Sequence, residues 1–198
     1  MKELMVATRN RGKLLEIEAV LAGVVEKVLC ASDFPNLPET NEDGTTFSEN
    51  ALKKAREAML FTGLPTIADD SGLVVRALDE RPGVFSARFA GESADDVANN
   101  RKLLAEMVGT PPEQRQAAFV CVMAFVTPDG VEQIFSGSVS GRILDRERGT
   151  GGFGYDPLFL VDGFERTMAE LTLAEKNCIS HRGQALRLFR AYLDKIRL

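Results

Sequence analysis

Ten residues, Thr66–Val75 (TIADDSGLVV), constrain this chain more than any others. Ile67, Ala68, Leu73, Val74 and Val75 suit a buried strand, yet Asp69 and Asp70 sit between them, followed by Ser71 and Gly72. A buried carboxylate requires a cation, a metal ion or a hydrogen-bond network, so a fold that buries this segment must bring such partners to it. Adjacent strand residues point to opposite faces, so a regular strand delivers at most one of the two aspartates to any one site. The polar centre predicts a break in the strand, and alternation alone leaves open which aspartate faces a site. An isolated Asp-Asp-Ser-Gly would serve equally well as a turn, with its carboxylates bonded to nearby backbone.

The flanking pattern alternates strand and helix. Leu4–Ala7 reads as a short buried strand, followed by the polar TRNRGK and by an amphipathic helix over Lys13–Ala22, with Leu14, Ile17 and Leu21 on one side and Gly23 as its stop. Val24–Cys30 predicts a second strand. Thr46-Phe-Ser-Glu49 is a capping box that opens a helix to about Phe61, with Leu52, Ala55 and Met59 on one face and Gly63 at its end. Ser93–Asp96 predicts another capped start, with Val97, Leu104 and Met107 or Val108 on the apolar side. Ala117–Thr127 and Val131–Val139 flank Pro128-Asp129-Gly130, a hairpin signal. A last helix opens at Ser180 or His181, with Leu186, Phe189, Leu193 and Ile196 facing the core. The whole predicts an α/β fold with a mixed sheet.

At 198 residues, with no repeat or long linker, residues 1–198 are expected to form a single domain. A net charge of −5 argues against a protein that coats nucleic acid, but leaves room for a local basic pocket. Cys30, Cys121 and Cys178 are odd in number and widely spaced, which predicts free thiols in a cytoplasmic setting. No apolar run approaches membrane-spanning length.

Five segments could carry chemistry. Thr8–Lys13 has the strand–loop–helix form that directs free N–H groups at phosphates, with Thr8, Asn10 and Lys13 as further donors; it lacks the Walker A pattern, and a solvated basic turn is the plainer reading. Asp69-Asp70 is the second. Glu39, Glu42, Asp43 and Glu49 form the third: Glu49 is explained by capping, and any of the others could join an aspartate of the second segment on Mg²⁺. Gly149–Gly154 carries four glycines in six residues and runs into Tyr155 and Asp156, a segment able either to meet a nucleobase or simply to pack its aromatics. The fifth, Lys176–Arg182, contains the only histidine, His181, which could line an anion site or be structural.

Taken in order, TRNRGK, EDGTTFSENALKKA, IADDSGLVV, PGVFSARFAG, GGFGYDPLF and KNCISHRG closely resemble the Ham1-like nucleoside triphosphate pyrophosphatases (the inosine triphosphatase family), over essentially the whole chain. The resemblance implies an elongated central mixed sheet flanked by helices, with two lobes enclosing an active-site cleft, usually in a homodimer. It implies Mg²⁺-dependent hydrolysis of dITP, ITP and XTP to the monophosphate and pyrophosphate. By the same resemblance Asp70 is the proton acceptor and a metal ligand, with Glu42 the second ligand, although Glu39 and Asp43 lie close by. Thr8, Arg9, Asn10, Arg11, Gly12, Lys13 and Lys54 face the phosphates, and Ser71 contacts substrate. Phe153, Gly154, Tyr155, Asp156, Lys176, His181 and Arg182 form the base pocket. Two alternatives stand beside this reading: a related pyrophosphatase for modified pyrimidine triphosphates, and a nucleotide-binding module without turnover.

Overall fold

The first apolar run forms β1 (Glu3–Val6), and Asn10 caps α1 (Arg11–Leu21) by accepting from the Lys13 N–H. The computed structural model describes residues 1–93 and 95–196. The chain continues through β2 (Lys27–Cys30), α2 (Phe47–Thr62) and β3 (Thr66–Val75) to α3 (Asp96–Glu106). It then runs through the hairpin β4 (Gln116–Val126) and β5 (Glu132–Ile143), then β6 (Phe159–Val161), α4 (Leu173–Ile179) and α5 (His181–Ile196). The sheet order is β2-β1-β3-β4-β5-β6. It is mixed: β1 runs parallel to β2 and β3, while β6 runs antiparallel to β5.

The chain divides into two compact units, and β3, β4 and β5 each give residues to both. The first comprises Met1–Asp70, Cys121–Gly137 and the chain from Arg182 onward. Its largest core gathers Leu4 and Val6 of β1, Ile17 and Leu21 of α1, and Phe125 against Phe189. A smaller cluster lays Ala51 and Ala55 of α2 against Ala68 and Ala124, where small side chains let helix and sheet approach closely. The second unit, Ser71–Val120 with Ser138–His181, has its own core, in which Leu103 of α3 and Met107 just after it join Leu73, Phe159 and Met168.

Local signals carried most elements. The Thr46/Glu49 capping box is present, and Gly63 ends α2 in the left-handed region at φ 67°. Several details differ. Within the capped start at Ser93–Asp96 the cap is Asp95, whose carboxylate accepts from the Ala98 N–H; Met107 and partly buried Leu104 face the core as expected, joined by Leu103, while Val97 and Val108 are exposed. Ile196 is exposed at the end of α5. Most informatively, β3 runs unbroken through Asp69-Asp70-Ser71-Gly72. The expected break is absent because each aspartate meets a cation, and because Gly72 leaves space that a side chain would fill.

A Cβ on Gly72 would strike the Gly83 carbonyl and the Ser86 hydroxyl. That hydroxyl accepts from the Leu73 N–H at 2.9 Å and donates to Gly83 O at 2.6 Å, so it cannot retreat without breaking both bonds. Gly72→Ala is therefore expected to cost about 1–3 kcal/mol, read as a lower urea midpoint with an unchanged slope.

Candidate active site

Strand alternation sends the two aspartates into different networks within the first unit. Asp69 Oδ2 lies 3.0 Å from Lys13 Nζ of α1 and accepts from Arg182 Nε at 3.2 Å and Nη2 at 3.1 Å. Arg182 Nη1 also donates to Glu16 Oε2 at 2.6 Å. Asp69, Glu16 and Arg182 are all buried. Burial alone would raise the Asp69 pKa, but Lys13 and Arg182 outweigh it and hold the carboxyl well below the usual range. A carboxylate with two cations on one oxygen is committed to its ion pairs.

Asp70 sits in a different environment. Its Oδ1 is 3.3 Å from Lys54 Nζ, which also meets Glu42 Oε1 at 2.8 Å, and its Oδ2 accepts from Asn50 Nδ2 at 3.1 Å. Asn50 and Lys54 lie four residues apart on one face of α2, as i and i+4 side chains must. Asn50 Oδ1 in turn accepts from the Gly44 N–H at 2.8 Å, which ties the acidic loop to the helix start. Burial raises the Asp70 pKa against the pull of Lys54, and the nearby Glu42 carboxylate adds to the rise. Burial works against the Lys54 charge too, but Asp70 and Glu42 outweigh it, and Lys54 remains an ammonium.

Of the acidic residues before α2, this arrangement singles out Glu42. Glu49 closes the capping box, Asp43 pairs with Lys53 at 2.6 Å, and Glu39 is exposed. Glu42 and Asp70 are hard oxygen donors converging on one cation, a set that suits Mg²⁺, which commonly takes one or two carboxylates and completes its shell with water and phosphate. Among the described residues no group of three or more His, Cys, Asp or Glu side chains gathers as a self-sufficient metal cage.

The Thr8–Lys13 loop stands at the α1 N-terminus. Thr8 Oγ1 accepts from the Asn10 N–H at 3.1 Å, and Asn10 and Arg11 are exposed. Gly12 and Lys13 fall in the first turn of the helix, where N–H groups lack intrahelical acceptors. Arg9 turns away, donating from Nη2 to the Leu37 carbonyl at 2.8 Å.

In the second unit, half-buried Ser71 follows Asp70 on β3. Asp156 Oδ2 accepts from Lys176 Nζ at 2.6 Å and from the Phe153 N–H at 3.0 Å, and the ammonium lies 4.6 Å from the Phe153 ring centroid. This buried ion pair under an aromatic face offers a donor and an acceptor together. His181 stacks on Phe119 with centroids 4.9 Å apart. Tyr155 follows the packing alternative for this segment: its ring lies in the core and its hydroxyl donates to Ser86 O at 2.8 Å, and burial pushes its phenol pKa upward. Arg182, placed by the resemblance among the base-pocket residues, has its guanidinium in the Asp69–Glu16 network of the first unit. A lone arginine on the core side of a helix gives no hint of carboxylates 113 and 166 residues away.

The Ham1 family model matches residues 4–192. The chain belongs to the Ham1 family. It is 58% identical to a dITP/XTP pyrophosphatase of Geobacter sulfurreducens, covering 98% of this chain and 97% of the relative. It is 50% identical to a dITP/XTP pyrophosphatase of Lactiplantibacillus plantarum, over 97% and 95% of the two chains. Among solved structures, a HAM1 protein from Coxiella burnetii superposes with a TM-score of 0.88 at 42% identity, covering 98% of this chain and all of that one. Beyond the residues read from the Ham1 resemblance, the structure adds Asn50 and Glu16. Both are polar residues whose burial only the fold reveals.

Proposed function

We propose that the chain hydrolyses dITP, ITP and XTP to the monophosphate and pyrophosphate with Mg²⁺, removing deaminated purines from the cytoplasmic nucleotide pool. Membership of the Ham1 family, with relatives called dITP/XTP pyrophosphatase, makes it a nucleoside triphosphate pyrophosphatase. The observation that carries the mechanism is the convergence of Asp70 and Glu42 on Lys54.

Bound by Glu42 and Asp70, Mg²⁺ would supply the charge neutralisation that a triphosphate, with roughly four negative charges, requires. Water attacks the α-phosphorus and passes a proton to the Asp70 carboxylate, whose burial strengthens it as a base. The bond from the α-phosphorus to the bridging oxygen breaks, and pyrophosphate leaves with the electron pair. Lys54 limits repulsion between Glu42 and Asp70, and Asn50 orients Asp70. The N–H groups at the start of α1, with Thr8, Asn10 and Lys13, receive phosphate oxygens.

Base reading is assigned to Asp156 and Lys176. The Lys176 ammonium donates to the 6-oxo group of hypoxanthine or xanthine, where adenine presents an amino donor. Free Cys30, Cys121 and Cys178 are in keeping with a reducing compartment. No helix among the described residues is long and apolar enough to cross a membrane. The same reading includes a homodimer, checked by light scattering.

A substrate panel with product identification tests the proposal. Turnover of dITP and XTP should exceed that of dATP by about 5- to 150-fold in kcat/KM, the range set by one unsatisfied buried polar group of ~1–3 kcal/mol. It should release pyrophosphate and cease on chelation of Mg²⁺. Orthophosphate release, or equal use of dATP and dITP, would overturn it. Preference for modified pyrimidine triphosphates, or binding without turnover, would establish one of the two alternatives.

A further inference from the structure

We propose that Asp96 and Asn100 are positioning residues for nucleobase recognition, acting from one face of α3 to hold the backbone of Gly154. The inference rests on the base-reading role given above to Asp156, Lys176 and Phe153.

Asp96 is the first residue of α3, and the capping bond is made by Asp95, so the Asp96 carboxylate is free for another partner. It accepts from the Gly154 N–H at 2.7 Å, a charge-assisted bond. One helical turn on, Asn100 Nδ2 donates to Gly154 O at 3.2 Å and to Glu147 Oε1 at 3.1 Å. Asn100 is 4% exposed and its two bonds are partly buried, whereas the Asp96 bond is exposed, so the Asn100 end of the clamp is the better shielded from water. The two peptide groups flanking Gly154 are thereby fixed to a helix, by side chains whose i, i+4 spacing puts them on one face.

This clamp matters because the turn is rich in glycine. Gly152 and Gly154 both lie in the left-handed region, at φ 72° and 62°. A Cβ on Gly152 would collide with the Asp156 carboxylate, so the glycine is needed for that carboxylate to fold back onto the Phe153 N–H. Glycines that permit this shape also permit many others, and the entropy of selecting one must come from elsewhere. Asp156 holds one end of the turn through Phe153 and Lys176; Asp96 and Asn100 hold its middle. Without the clamp, Phe153 and the Asp156–Lys176 pair would have to be ordered by the substrate, at the expense of affinity. The chemistry assigned to Asp70 would be untouched.

The test uses the full chain with Asp96→Ala, Asp96→Asn and Asn100→Ala. Asp96→Asn keeps an acceptor for the Gly154 N–H and is the conservative variant. Asp96→Ala is expected to speed amide exchange at Gly154 and to raise KM for dITP, each about tenfold, the equivalent of ~1.4 kcal/mol, with kcat within about twofold. The dITP-over-dATP preference should fall with it, and Asp96→Asn should recover most of both effects. Asn100→Ala should shift KM in the same direction, and it decides the matter if Asp96→Ala does not fold. Unchanged exchange and KM in the folded variants, equal damage from Ala and Asn at position 96, or a loss confined to kcat would overturn the proposal. If the wild-type protein did not use dITP at all, the functional reading would fall, while Gly154 exchange would still judge the clamp.

Discussion

Asp70→Asn is expected to fold and to lose about 10²–10⁴-fold in kcat for dITP, the contribution typical of a positioned general base. The substitution is nearly isosteric, and Glu42 Oε1 remains 2.8 Å from Lys54 Nζ, so the ammonium keeps a carboxylate partner. The effect on stability has the opposite sign to that on activity. The Asp70 pKa is raised in the folded protein, so the native state holds its proton more tightly than the unfolded chain does. That contribution favours folding below the unfolded pKa and is lost as pH rises through the folded value, so at neutral pH the ionised carboxylate is held at a cost. The amide removes this cost, and thermal melting at neutral pH should show a Tm equal to or above that of the parent. Pyrophosphate release measured beside the melt separates the two effects. Turnover above about a tenth of the parent's would remove Asp70 from the chemistry, since a tenfold loss corresponds to only ~1.4 kcal/mol of barrier.

Arg182→Leu is expected to be the most destabilising of the substitutions considered, at about 3–5 kcal/mol, the cost of taking one partner from a buried ion network. Arg182 is 1% exposed and donates to both Glu16 and Asp69. Leucine fills part of the volume but leaves these buried carboxylates without their guanidinium, while Asp69 keeps its contact with Lys13. For a chain of this size the loss corresponds to a fall in Tm of about 6–20 °C. Because the Asp69 pKa is depressed in the folded state, its stabilisation is present above the unfolded pKa and is lost as pH falls toward the folded value. The gap between parent and variant should therefore be widest near neutral pH and narrow in acid, as calorimetry across pH would show. A uniform gap would mean that lost packing, rather than lost charge pairing, dominates. Arg182→Lys should fall between the two, since an ammonium keeps the charge but not the fork that reaches Glu16 and Asp69 together.

The residues of these two predictions show where sequence reasoning reached and where it stopped. Opposite facing of Asp69 and Asp70 followed from strand periodicity, and the Ham1 resemblance chose Asp70 for the chemistry. The partner that the structure gives Asp69 in Arg182 did not follow. Likewise, four carboxylates stood near the start of α2 with equal claims on chemical grounds. Capping removed Glu49 by a rule that operates over three residues, but only folding put Glu42 and Asp70 on the same ammonium. For Tyr155 the sequence left ligand contact and simple packing equally open; its ring is held in the core by a hydroxyl bond to Ser86, 69 residues away.

By itself the sequence determined the local elements: the cap at Thr46, the stop at Gly63, the β4–β5 hairpin, and the alternation that separates the aspartates. These depend on interactions within a turn or two of chain, which the order of residues specifies directly. Its motifs, in their order, also determined the family. Tertiary structure alone decided that β3 could run unbroken through two carboxylates, which cations would hold each of them, and that α3 would grip the backbone of Gly154. Those outcomes depend on groups brought together across long stretches of chain, where burial sets the strength of each pairing and no local pattern records the partner.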